Sequence, residues 1–126
     1  MTALADARAH LAKAREFVEA ARSSHEHDLY NAATSNAVIS GINSKDAICL
    51  RLIGVTRKSD GHQEAVAELK SAGPVGKELA STFSRLLKLK TKSQYQSASV
   101  AATDATKAIE WAERMLEVAE KAVSSR

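Results

Sequence analysis

A single cysteine, Cys49, leaves this chain with no intramolecular disulfide framework and no cysteine-based zinc cluster. Aromatic residues are only 4% of the sequence: Phe17, Tyr30, Phe83, Tyr95 and Trp111. Single-stranded RNA platforms stack bases on several aromatic rings of one surface, so that mode of recognition is disfavoured. No apolar run approaches the roughly 20 residues a membrane span needs, and no signal-peptide core stands at the N-terminus. The expectation is therefore a cytoplasmic protein without membrane contact. Glycine-rich phosphate loops and the Gly-x-Gly-x-x-Gly fingerprint are also missing. A bundle di-iron site needs Glu-x-x-His pairs, yet Ala7, Arg22, Ser24 and Ser59 precede the four histidines by three. Nothing in these motifs calls for a metal or another cofactor.

What is present suits one compact unit. The 126 residues are 44% hydrophobic and 26% charged, enough for one core and too few for two. Residues 1–126 are read as one domain. The net charge of +3 is mildly basic, and its distribution says more than its size. Arg85, Lys88, Lys90 and Lys92 form a run with no acid among them, and Arg51, Arg57 and Lys58 form a second cluster. Such runs ordinarily form a solvated helix face; brought together, they support weak polyanion binding.

Helix breakers are few: glycines at 41, 54, 61, 73 and 76, and the lone Pro74. Over residues 3–23, Leu4, Ala7, Leu11, Ala14, Val18 and Ala21 recur at steps of three and four, predicting a helix with one apolar stripe. His10 reads as a flank of that stripe. Ser23 to Asp28 reads as a loop, with Asp28 as N-cap of the next helix. That second helix is expected over 29–53, closed by Gly54. Its stripe of Ala33, Ala37 and Gly41, beside Val38, Ile42, Ile48 and Leu52, suggests a central element buried on more than one face. Gly41 costs about 1 kcal/mol against alanine in a helix, so a close packing contact is expected there. Asp60 and Gln63 make a capping box for a short third helix ending before Gly73-Pro74. A fourth helix is expected over 75–90, then a polar, weakly helical stretch, then a last alanine-rich helix over 98–123. No segment alternates with period two. The fold class is all-α: an up-and-down antiparallel bundle of four to five helices.

Three candidate sites stand out. Cys49, inside the apolar run Ala47-Ile48-Cys49-Leu50, reads as a buried and inert thiol. His25-Glu26-His27-Asp28 carries ligand-type residues, but no further set elsewhere completes a metal site, and a polar connector explains it. Arg57 and His62, with four residues between them, have the spacing in which a guanidinium holds a phosphate while an imidazole moves a proton. That is the logic of metal-independent RNA cleavage.

The order of these features resembles the HEPN domains of prokaryotes over nearly the whole chain. The resemblance lies in the small-residue second helix with an acid in its second half, Ala32-Ala33 through Asp46-Ala47-Ile48. It continues in the glycine-bounded loop leading to Gly61-His62, in the basic-polar segment Lys90 to Tyr95, and in the closing alanine-rich helix. It implies a HEPN-like helical bundle that is usually a homodimer, often in toxin–antitoxin or defence systems beside a nucleotidyltransferase or antitoxin partner. Ribonuclease members carry Arg, a polar residue, a few further positions and His before the last helix. Here no histidine follows His62, and Lys58 replaces the usual Asn, Asp or His after the arginine. The expectation is therefore a non-catalytic interaction module for a protein, nucleotide or RNA. Its candidate surface is Arg57, Lys58, His62, Lys88, Lys90, Lys92 and Tyr95. The alternative is a metal-independent ribonuclease toxin using Arg57 and His62.

Overall fold

In the computed structural model, residues 2–57, 61–94 and 96–124 are described, and they form five α-helices. These are α1 (Ala3–Glu26), α2 (Tyr30–Ile53), α3 (His62–Ser71), α4 (Pro74–Gln94) and α5 (Ala102–Ser124). No strand occurs among the described residues. The all-α expectation holds.

The helix ends follow from local chemistry, and several differ from expectation. The Thr2 hydroxyl caps α1 by accepting from the Ala5 amide at 3.1 Å. With no breaker before it, α1 runs through the residues read as a loop and stops at His27, whose amide reaches the Ser23 and Ser24 carbonyls. Asp28 does not cap α2. It sits in the left-handed region at φ 59°, where it reverses the chain, and that conformation is incompatible with the extended backbone of an N-cap. Leu29 takes the cap position without a side-chain bond, and the Asp28 carboxylate accepts from the Tyr30 hydroxyl at 2.9 Å. Gly54 closes α2 at φ 75°, as its residue type predicts, with its amide on the Leu50 carbonyl at 3.1 Å. Asp60, expected to cap α3, lies outside the described residues; the cap position belongs to Gly61. Pro74 opens α4, where its missing N–H costs nothing. The α4 helix extends four residues past Lys90, and its end is tied to α2 by Gln94 Nε2 donating to Ser35 Oγ at 2.9 Å. Val100 is buried, and its amide donates to Asn31 Oδ1 at 2.8 Å. That bond holds the chain before Ala102 as a connector, so α5 starts later than its alanine pattern implied.

The core explains the arrangement. The α2 helix is the hub, packed against α1, α5 and α4, while α3 leans mainly on α4. Phe83, Ile48, Leu79, Leu86, Met115, Val18 and Val38 are fully buried around it. Each large side chain of this kind contributes about 1.5–3 kcal/mol. Small residues set the helix spacing: Ala7, Ala14 and Ala21 of α1 and Ala105, Ala108, Ala112 and Ala119 of α5 are wholly enclosed. A Cβ on Gly41 would run into the Leu86 side chain, which is the close contact its presence in a helix implied. Gly76 is tighter still, since a Cβ there would strike the Leu69 carbonyl group of the α3–α4 corner. These alanines are consumed inside the bundle.

Candidate functional site

The site begins with two charges in the middle of the hub helix. Lys45 and Asp46 are 3% and 6% exposed, and burying an ion is costly unless partners compensate. Partners come from the chain after α2 and from α3. Lys45 Nζ donates to Asp46 Oδ1 at 3.2 Å, to Thr56 Oγ1 at 3.3 Å and to the Arg57 carbonyl at 3.2 Å, and it pairs with Glu68 Oε1. The Thr56 hydroxyl approaches Asp46 Oδ1 at 2.6 Å and Glu68 Oε1 at 3.1 Å; its one hydrogen serves one of them at a time. The Arg57 amide donates to Glu68 Oε1 at 2.8 Å. Burial pulls the Lys45 ammonium down, but Glu68 and Asp46 outweigh it and hold the group above its ordinary value. Burial pushes the Glu68 carboxyl up, and the Arg57 amide and Lys45 together overcome that and hold it low. The network is a strap: it fastens both backbone polar groups of Arg57 to α2 and α3.

Above this strap opens a cleft of about 880 Å³. Phe17, Ile42, Phe83 and Leu87 give it apolar walls, while Lys13, Arg57, Lys90, His10 and His62 supply cationic or protonatable groups. The acids lining it are Glu16 and Asp46, and Asp46 is already engaged by Lys45. Lys13, Arg57 and Lys90 form no ion pair among the described residues. The cleft can therefore take an anion without first breaking a salt bridge.

Of the residues singled out from sequence, Arg57, His62 and Lys90 line this cleft together. Lys88 lies in the adjoining α3–α4 groove, which it lines with His62, Gln63, Lys70 and Ser84. Lys92 turns away and pairs with Asp104 at 3.0 Å. Lys58 and Tyr95 lie outside the described residues. His62 does not stand free, because its Nε2 meets Ser84 Oγ at 3.0 Å.

Sequence reasoning missed Lys13 and misread His10. His10 is no mere flank: it lines the cleft, with Nδ1 2.8 Å from Asn43 Oδ1 and 3.8 Å from Asp46 Oδ2. The signal that could have found this end of the site was Lys45-Asp46, two adjacent charges amid the apolar and small residues of α2.

The remaining candidates have structural uses. His25 Nε2 meets Thr106 Oγ1 at 2.9 Å, His27 Nδ1 donates to the Ser23 carbonyl at 2.8 Å, and Asp28 holds Tyr30. These partners pull the cluster in separate directions. Among the described residues no group of three or more His, Cys, Asp and Glu side chains is set to hold a metal ion. Cys49 is fully buried, its thiol pushed up to about 11 mainly by that burial. It remains protonated at neutral pH and donates weakly to the Glu68 carbonyl at 3.7 Å. Among the described residues no helix is long and apolar enough to cross a membrane.

Five helices around a small-residue hub, with a cleft lined by cations beside the α2–α3 connection, define an all-α helical bundle. Comparison with known families agrees with this description. The HEPN domain family matches residues 7–122, and the chain belongs to that family. Comparison with curated proteins returns no match.

Proposed function

We propose that this HEPN protein binds the phosphodiester backbone of RNA, or the phosphates of a nucleotide, in the cleft between α1, α2, α3 and α4. The observation that carries this is the convergence of Lys13, Arg57 and Lys90 from three parts of the chain onto one cleft, none in an ion pair among the described residues. Phosphate attraction is additive in such contacts, and the apolar walls shelter a base or ribose without demanding a stacking platform. Binding without cleavage is the favoured mode, because one of the two ring nitrogens of His62, Nε2, is already engaged by Ser84 Oγ. The family resemblance adds a setting, a toxin–antitoxin or defence system with a nucleotidyltransferase or antitoxin partner, and a homodimeric state that light scattering checks.

Fluorescence anisotropy with a labelled single-stranded RNA tests the reading. The expected result is salt-sensitive binding whose logarithmic slope is about −0.7 for each phosphate contacted. Replacing Lys13, Arg57 and Lys90 together by alanine should abolish it. Equal binding by that variant would overturn the proposal.

A ribonuclease reading is favoured by one observation, that Arg57 and His62 line the same cleft. It predicts RNA cleavage in EDTA that is lost in both Arg57→Ala and His62→Ala. Equal cleavage by the native chain and both variants would trace the activity to a contaminant.

A further inference from the structure

The two histidines of the cleft are held differently, and Asn43 settles how. Asn43 Nδ2 donates to the Ile39 carbonyl at 3.0 Å, so its amide oxygen is the end that faces His10. An amide oxygen only accepts, which places the hydrogen of the 2.8 Å contact on His10 Nδ1. Asp46 Oδ2, 3.8 Å from that same nitrogen, adds negative charge behind the ring, while its other oxygen serves Lys45 and Thr56. In the neutral ring the lone pair then lies on Nε2, across the ring from Asn43. Nε2 of His10 has no hydrogen-bond partner among the described residues, and the side chain is 20% exposed on the cleft wall. His62 is held at the opposite nitrogen, its Nε2 meeting Ser84 Oγ, a hydroxyl that can donate or accept and so fixes no tautomer.

Resting on the reading that the cleft holds phosphate groups, we infer that His10 is a proton-coupled anchor for a phosphodiester. Neutral, its Nε2 is an acceptor and repels a phosphate oxygen. Protonated, it is a charged donor, with the positive charge supported by Asn43 and Asp46 from behind. The charged and titratable groups lining the cleft around it are Lys13 and Glu16 of α1, Lys45 and Asp46 of α2, Arg57 of the connection, His62 of α3 and Lys90 of α4. A docked phosphate places negative charge among them and so favours the protonated ring. By linkage, lowering pH must then tighten binding.

The test is calorimetric titration of the full chain with a short oligouridine carrying a 5′-hydroxyl, whose diester groups and bases keep their charge between about pH 5.5 and 8. Repeating it in buffers of different ionisation enthalpy counts the protons taken up. The native chain should bind with net proton uptake, and its affinity should fall by up to about tenfold per pH unit as the ring loses its proton. His10→Gln should bind with little pH dependence and with the uptake lost. His62→Gln, whatever it costs in affinity, should keep the uptake. Uptake persisting in His10→Gln, or vanishing only in His62→Gln, overturns the inference while leaving the cleft reading intact. Failure of the native chain to bind at any pH overturns both. Should His10→Gln not fold, ring resonances of His10 in the native chain, titrated with and without RNA, decide the matter. An unchanged titration curve refutes the coupling.

Discussion

Two flanks of α1 carry cations to opposite ends. On the flank facing α5, Arg22 pairs with Glu113 and with Glu19, and Arg15 pairs with Glu120 at 3.4 Å. On the flank facing α2 and α4, Lys13 shares its cleft with Arg57 and Lys90, and the side chains of these three form no ion pair among the described residues. The first set is spent on the fold's own surface, while the second is left available. The difference is one of matching rather than of charge density. A paired surface cation adds little stability and little field, whereas unmatched cations around a concavity sum their potentials on whatever anion enters. Beneath the cleft the strategy changes again. The Lys45–Glu68–Asp46 network matches its charges internally and devotes them to holding Arg57 in place.

The largest contrast to be drawn experimentally is between that buried network and the α1–α5 seam of Arg22 and Glu113. Lys45→Met leaves Asp46 and Glu68 without their cation and should cost about 3–5 kcal/mol in urea denaturation. A loss below 1 kcal/mol would show that water already shares the network. Acid should reveal the same asymmetry. The folded Glu68 carboxyl lies below its ordinary 4.5, so its contribution is complete above that pH and is lost as pH falls through the folded value. Stability of the native chain should therefore drop more steeply below about pH 4.5 than that of Glu68→Gln, measured by denaturant midpoints across the range. Next in size come the cleft cations. Arg57→Ala or Lys90→Ala should each weaken RNA binding about tenfold with the thermal midpoint nearly unchanged, since a charged hydrogen bond is worth about 1.5–3 kcal/mol. Arg15→Ala on the opposite flank should leave binding alone. The smallest effect belongs to the seam: Arg22→Ala should cost under about 1 kcal/mol, because its pair with Glu113 is roughly two-fifths exposed on each side. A larger cost would make that seam a structural fastening.

Much of the architecture was legible before any coordinates. Spacing at three and four residues marked α1, α2 and α5, and Gly54 and Gly73-Pro74 marked two of the stops. Where the reading slipped, it slipped at ends. Leu4 and Leu52 lie on apolar stripes yet are 37% and 39% exposed, because each sits near a helix end. Asp28 has the composition of a cap but occupies a chain reversal, a choice made by how α1 and α2 dock. Arg57 and His62 could be paired from sequence because they share one connection. Lys13 and His10 could not, because nothing local says which face of α1 turns toward α4. Lys88 and Lys92 show the converse: neighbours of Lys90 in sequence, they point to a separate groove and to Asp104.

Periodicity and breakers, which depend only on near neighbours along the chain, determined that this protein is a helical bundle with a small-residue hub. Which cations face each other, which are cancelled by a carboxylate and which nitrogen of each cleft imidazole is held were decided by tertiary packing. Those relations join residues such as His10 and Lys90, far apart in the chain. Electrostatics acts through space, and only the docked helices fix the distances on which it depends.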